Sequence, residues 1–217
     1  MTSKGQRFLG IAFFLTLAFC VFEFIGGKLS GSLALLADAG HMLADLSALG
    51  LAYFASWMAA RPSTPRMSYG FHRIEVLSAL INGVILVTMA IFIAKEAFHR
   101  LNENPEIHTG MMLGVAFVGL LFNIAAGFLL KSVAHESVNL LGAFFHVVSD
   151  ALSSVGTIVA GCVIALTGWR YADPLVSFMI ACLIGVSAWR LLRDVVAVLL
   201  EATPPHIDIE VLGKKVL

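Results

Sequence analysis

Two histidine–aspartate pairs carry the chemistry in this sequence: His41 and Asp45 in GHMLAD, and His146 and Asp150 in FHVVSD. Residues four apart lie on one face of a helix. Each pair therefore offers an imidazole and a carboxylate in the same direction, and Asp38 falls within the stripe of the first pair. Two imidazoles with two carboxylates form a ligand set suited to a tetrahedral divalent metal, and they bind Zn²⁺ well at roughly 2.0–2.2 Å per bond. The set holds no thiolate, which counts against Cu⁺. It is not made of carboxylates alone, which counts against Mg²⁺ and Ca²⁺.

Other chemistry uses the same residue types. Each pair taken singly is also what a hydrogen-bonded couple holding two helices together would look like. A His-x-x-x-Asp motif serves acyltransferases, with the histidine as general base. That chemistry needs one motif beside an acceptor site, whereas here there are two motifs and no nucleophile loop. A membrane metalloprotease would want a general-base glutamate, as in His-Glu-x-x-His, and the sequence has none.

The elements that must position these pairs are membrane helices. The chain has 217 residues, 59% hydrophobic and 13% charged, which is too apolar for a water-soluble globule. Six apolar runs reach the length of a bilayer span, at about 8–27, 33–58, 78–100, 110–130, 139–167 and 174–200. The fold class is all-α, a polytopic membrane protein of six transmembrane helices. The first run is followed by further spans and lacks a cleavage pattern, so it reads as a span and not as a signal peptide. Formal net charge is zero, which leaves no nucleic-acid footprint. Cys20, Cys162 and Cys182 all fall inside spans and read as buried small hydrophobes.

Lys and Arg in the loops set the orientation. With the N-terminus inside, ten of them fall on inner segments and four on or near outer ones, which puts both termini in the cytoplasm. A carboxylate near the middle of such a helix costs about 2.5–3.5 kcal/mol on insertion scales. Asp45 and Asp150 therefore need something to offset that cost, and a bound cation does so. Metal binding requires neutral histidine and ionised aspartate, so protons compete with the ion. Helices 2 and 5 occupy matching places in two three-helix halves, the arrangement of an inverted repeat with a site near the midplane.

Other residues carry two readings each. Glu23, in the first span, is either an interfacial carboxylate that snorkels or pairs with Lys28, or part of an outer vestibule. His72, in the loop before helix 3, is either solvated or a second metal-loading position. His99, Glu103, Glu106 and His108 read as a solvated loop or a weak collecting surface. Asn82, Gly83 and Thr88 suit helix packing in lipid, and Asn123 at mid-span wants a partner on another helix. Trp169, Tyr171, Asp173 and Pro174 make an aromatic-anchored turn before helix 6.

The stretch FEFIGGKLSGSLALLADAGHMLADLSALGL, the loop YGFHRIEVLSALING, Asn123, and the segments HVVSDALSSVGTIVAG, TGWRYADPLVS and LLEATPPHID closely resemble the cation diffusion facilitators, in their zinc-transporter-like branch. The resemblance covers nearly the whole chain. It implies a homodimer that exchanges cytoplasmic Zn²⁺ for protons, with Cd²⁺ or Co²⁺ as further metals. Residue by residue it assigns His41, Asp45, His146 and Asp150 to the transport site, and His72 to a second, less constant site. It also implies a charge contact at the inner membrane edge between Arg73 and Glu201. Residues 1–203 are expected to form the transmembrane domain, and 204–217 to begin a cytoplasmic domain that is otherwise absent. No histidine-rich loop is present, which points to a bacterial inner membrane protein.

Overall fold

In a computed structural model the described residues of the chain form six helices. These are α1 (Ser3–Ser30), α2 (Leu33–Ala59), α3 (Arg73–Glu103), α4 (Thr109–Lys131), α5 (Val138–Thr167) and α6 (Ala172–Leu199). The structure describes residues 3–59, 61, 71, 73–103, 106–131 and 138–202, with side chains from 13 in α1 and from 144 in α5. His72 and the segment 203–217 lie outside the described residues. All six helices are long and apolar enough to cross a membrane.

Several helices exceed the expected runs. α3 has 31 residues, about 46 Å at 1.5 Å per residue, well beyond a hydrocarbon core of about 30 Å. The apolar run marks only the part in lipid, while backbone hydrogen bonding continues through the polar flanks. His99 and Glu103 accordingly stand on the last turns of α3, as an i, i+4 pair at 3.3 Å, and not in a loop. Asp173 and Pro174 likewise belong to the first turn of α6, where a proline's missing N–H costs nothing.

Lateral packing follows membrane logic: bulky apolar groups face outward and small ones face inward. Phe14, Phe22, Phe92, Phe128 and Trp189 are exposed, whereas Ala34, Ala37, Ala44, Ala90, Ala181 and Ala188 are buried. One apolar core joins α2, α3 and α6 through Ala34, Ala37, Leu86, Ile93, Ile180 and Ile184. A second joins Leu35 of α2 to Met112 and Ala116 of α4 and to Ala160 and Ile164 of α5. A Cβ at Gly83 would stand 2.6 Å from Leu192, so glycine there lets α3 and α6 approach closely. By contrast, a Cβ at Gly110 or Gly114, near the start of α4, would meet nothing within 4 Å, so neither glycine is needed for packing among the described residues. Asn123 Nδ2 donates to Ser154 Oγ on α5 at 3.5 Å, which supplies the partner a mid-span amide needs.

Two sequence expectations are corrected. Cys20 is buried and its thiol donates to Ala39 O, but Cys162 and Cys182 are exposed, because most of a membrane helix's circumference faces lipid. All three thiols are free. Glu23 of α1 is 1% exposed, deep among α2, α4 and α5, with Oε1 facing the Gly119 position beside Ser154. It neither snorkels nor pairs with Lys28. Five residues along a helix is about 140° of rotation, which turns the two side chains to different faces, and the Lys28 ammonium lies over the Phe24 ring instead.

Candidate functional site

α2 and α5 run in opposite directions, and their facing stripes bring the two histidine–aspartate pairs together. Within each pair the helical repeat sets the spacing: His41 Nε2 is 3.5 Å from Asp45 Oδ2, and His146 Nε2 is 3.6 Å from Asp150 Oδ2. Between helices, His146 Nε2 lies 3.3 Å from Asp45 Oδ2, and His41 Nε2 lies 4.0 Å from Asp150 Oδ1. The imidazole rings meet edge to face, with centroids 5.7 Å apart.

These separations have a chemical meaning. Four donors placed about 2.0–2.1 Å from one ion at tetrahedral angles stand about 3.3–3.4 Å from one another. The four histidine–aspartate contacts run from 3.3 to 4.0 Å, at or a few tenths of an ångström beyond that spacing. Donor atoms of His41, His146 and Asp150 already lie within 4.8 Å of one another. Asp45 Oδ2 reaches both imidazoles but has no hydrogen bond of good geometry, and His41 Nδ1 is likewise buried without a partner. A carboxylate oxygen buried without a donor is costly unless a cation satisfies it. Exposure is uneven: the Asp150 side chain is 13% exposed and that of His146 is 46% exposed.

Of the residues singled out in the sequence, the structure groups His41, His146 and Asp150, and sets Asp45 beside the two imidazoles, at 3.5 and 3.3 Å, but outside that group. Asp38 is buried on the same helix but turned towards Glu23 and Ser153, outside this cluster. His99 and His108 lie at the other end of α3 and the start of α4, away from it. Arg73 Nη2 and Glu201 Oε1 form a 3.0 Å ion pair that ties the start of α3 to the end of α6. Glu201 holds a left-handed backbone (φ 55°), and Ala202 N donates to Ala197 O, so α6 ends in a tight cap that aims this carboxylate back towards α3.

Sequence reasoning placed Asp173 in an interfacial turn and missed its role. Asp173 is fully buried and accepts hydrogen bonds from Ser32 Oγ (2.5 Å), Leu33 N (2.8 Å) and Ala34 N (3.3 Å). It thus caps the N-terminus of α2 from the first turn of α6. The only sequence signal was an acidic residue next to a proline at a helix start, which also fits an interfacial turn.

Comparisons with known proteins place the whole bundle. Residues 9–200 match the family model described as the cation efflux transmembrane domain. The zinc transporter ZitB of Escherichia coli (strain K12) is 44% identical over 213 residues, covering 98% of this chain and 68% of that protein. The metal cation efflux system protein CzcD of Cupriavidus metallidurans is 38% identical over 213 residues, 98% of this chain and 67% of that protein. The cadmium, cobalt and zinc/H(+)-K(+) antiporter of Bacillus subtilis (strain 168) is 37% identical over 207 residues, 94% of this chain and 67% of that protein. With six apolar helices and a match across nearly its full length, the chain is a multi-pass membrane protein that belongs to the cation diffusion facilitator family of cation efflux transporters, in its zinc-transporter-like branch.

Proposed function

We propose that this protein exports Zn²⁺ from the cytoplasm in exchange for protons, by alternating access of a site formed by His41, Asp45, His146 and Asp150. The convergence of four donor groups at 3.3–4.0 Å from two antiparallel spans carries this reading. The named activities of its relatives in zinc, cadmium and cobalt transport and in proton-coupled antiport support it, and make Cd²⁺ and Co²⁺ further substrates. His72 remains the second-site residue, on the resemblance alone. The protein acts as a homodimer with both termini cytoplasmic, in the inner membrane of a bacterium. It is a secondary active transporter and carries out no covalent chemistry.

The coupling follows from charge. Two carboxylates and one divalent ion sum to zero, which lets the loaded site exist in a low-dielectric interior. Without the ion, two negative charges would face one another there, so protons are the natural replacement. The metal requires neutral imidazole and ionised carboxylate. A side rich in protons therefore favours release, and the cytoplasmic side favours loading.

The test is flux in proteoliposomes holding a fixed pH gradient, with Zn²⁺, Cd²⁺, Co²⁺, Mn²⁺ and Fe²⁺ compared in parallel. Zinc uptake should follow the gradient and vanish when it is collapsed. Flux indifferent to the gradient would remove the antiport mechanism. Loss of no flux in Asp45→Ala or Asp150→Ala would remove the site.

A further inference from the structure

The geometry points to Asp173 as the positioning residue that sets the register between the two ligand-bearing helices. This role rests on the metal site proposed above and extends it to a residue outside that site.

α2 and α5 share the Leu35, Ala160 and Ile164 core and their facing histidine–aspartate pairs, and apolar packing of this kind has no directional bond to fix their relative height. Asp173 fixes it from a position shared by both. It stands in the first turn of α6, immediately after the short turn Gly168–Tyr171 that closes α5. Gly168 makes that turn tight, with φ at 71° and its N–H bonded to Ile164 O. Asp173 is therefore carried by the α5–α6 hairpin, while its carboxylate holds the start of α2. Both oxygens are engaged: Oδ1 by Ser32 Oγ and Ala34 N, and Oδ2 by Leu33 N. From Leu33 to His41 is eight residues of continuous helix, about 12 Å. A helix transmits an axial shift or rotation at its first turn to its second and third with little loss.

The contacts around this clamp make it a fixed point. Ser32 Oγ accepts from Leu35 N at 3.3 Å, so the same hydroxyl that donates to Asp173 also caps α2 locally. Gly31, at φ 75°, turns the chain between α1 and α2, and its carbonyl accepts from Arg100 Nη1 at 2.6 Å. Ser30 O accepts from His108 N at 2.8 Å, which brings in the start of α4. Ser177 Oγ donates to Asp173 O at 2.7 Å within α6. A charged carboxylate on free helix N–H groups makes a charge-assisted bond and also interacts favourably with the helix dipole. Asp173 and Ser32 are fully buried, so water does not compete for either group.

The experiment compares Asp173→Ala, Asp173→Asn and Ser32→Ala with wild type in detergent. It reads zinc affinity by chelator competition, the visible spectrum of bound Co²⁺, and melting temperature. A purely structural cap would lower the melting temperature and leave affinity and spectrum unchanged. The positioning role predicts that Asp173→Ala weakens zinc binding on the order of tenfold and alters the Co²⁺ spectrum, because the donors no longer stand at one height. Asp173→Asn keeps one acceptor oxygen and should fall between it and wild type. Wild-type affinity and spectrum in folded Asp173→Ala overturn the assignment. If that variant does not fold, wild-type values in both Asp173→Asn and Ser32→Ala overturn it. A different result, in which wild type binds zinc no better than His41→Ala, would instead show that the metal site is misplaced, and the role of Asp173 falls with it.

Discussion

Replacing Asp150 with asparagine isolates what one carboxylate contributes to the cluster. Asp150 is the least exposed of the four groups and supplies two of the four histidine–aspartate contacts, at 3.6 and 4.0 Å. The amide has nearly the same volume, so local packing should change little. The charge is what disappears. The loaded site would then carry a net positive charge in a membrane interior, with three ligands left: His41, His146 and Asp45. Three protein ligands still bind zinc, as open sites in enzymes do, so binding should weaken without vanishing. Removing a group that merely orients a metal ligand already costs 10–100-fold, so loss of a direct ligand should cost at least about 100-fold, or about 2.7 kcal/mol. Competition with a fluorescent chelator in detergent gives the affinity, and proteoliposome flux gives the transport consequence. A change in zinc affinity below about threefold, in protein that remains helical and monodisperse, would mean that Asp150 is not a ligand.

His41→Asp should broaden the accepted metals towards Cd²⁺, because oxygen donors lessen the preference that nitrogen ligands give to later metals; an unchanged Zn²⁺-to-Cd²⁺ flux ratio would place selectivity elsewhere. Gly31→Ala should destabilise the protein by about 2 kcal/mol or more, since it adds a left-handed backbone penalty to a Cβ only 2.7 Å from Glu106 O, and thermal unfolding in detergent reads this. Arg73 and Glu201 are 81% and 77% exposed, so a double-mutant cycle on unfolding should give a coupling of only about 0–1 kcal/mol, and Arg73→Glu should weaken any dimer only modestly.

The sequence alone determined that this is a six-span, all-helical membrane protein, because length and hydropathy leave a membrane chain few other ways to satisfy its backbone. It also singled out His41, Asp45, His146 and Asp150, since the helical repeat places residues four apart on one face whatever surrounds them. Only the tertiary structure decided whether those two faces meet, because convergence depends on how α2 and α5 are rotated and raised relative to each other. Rotation also decided the fates of Glu23, Cys162 and Cys182. A helix in lipid is apolar on every side, so its sequence carries no amphipathic stripe to say which side is buried. Asp173 was illegible for a related reason. Its partners are two backbone N–H groups and a serine hydroxyl about 140 residues away along the chain, and a backbone amide leaves no trace in the sequence.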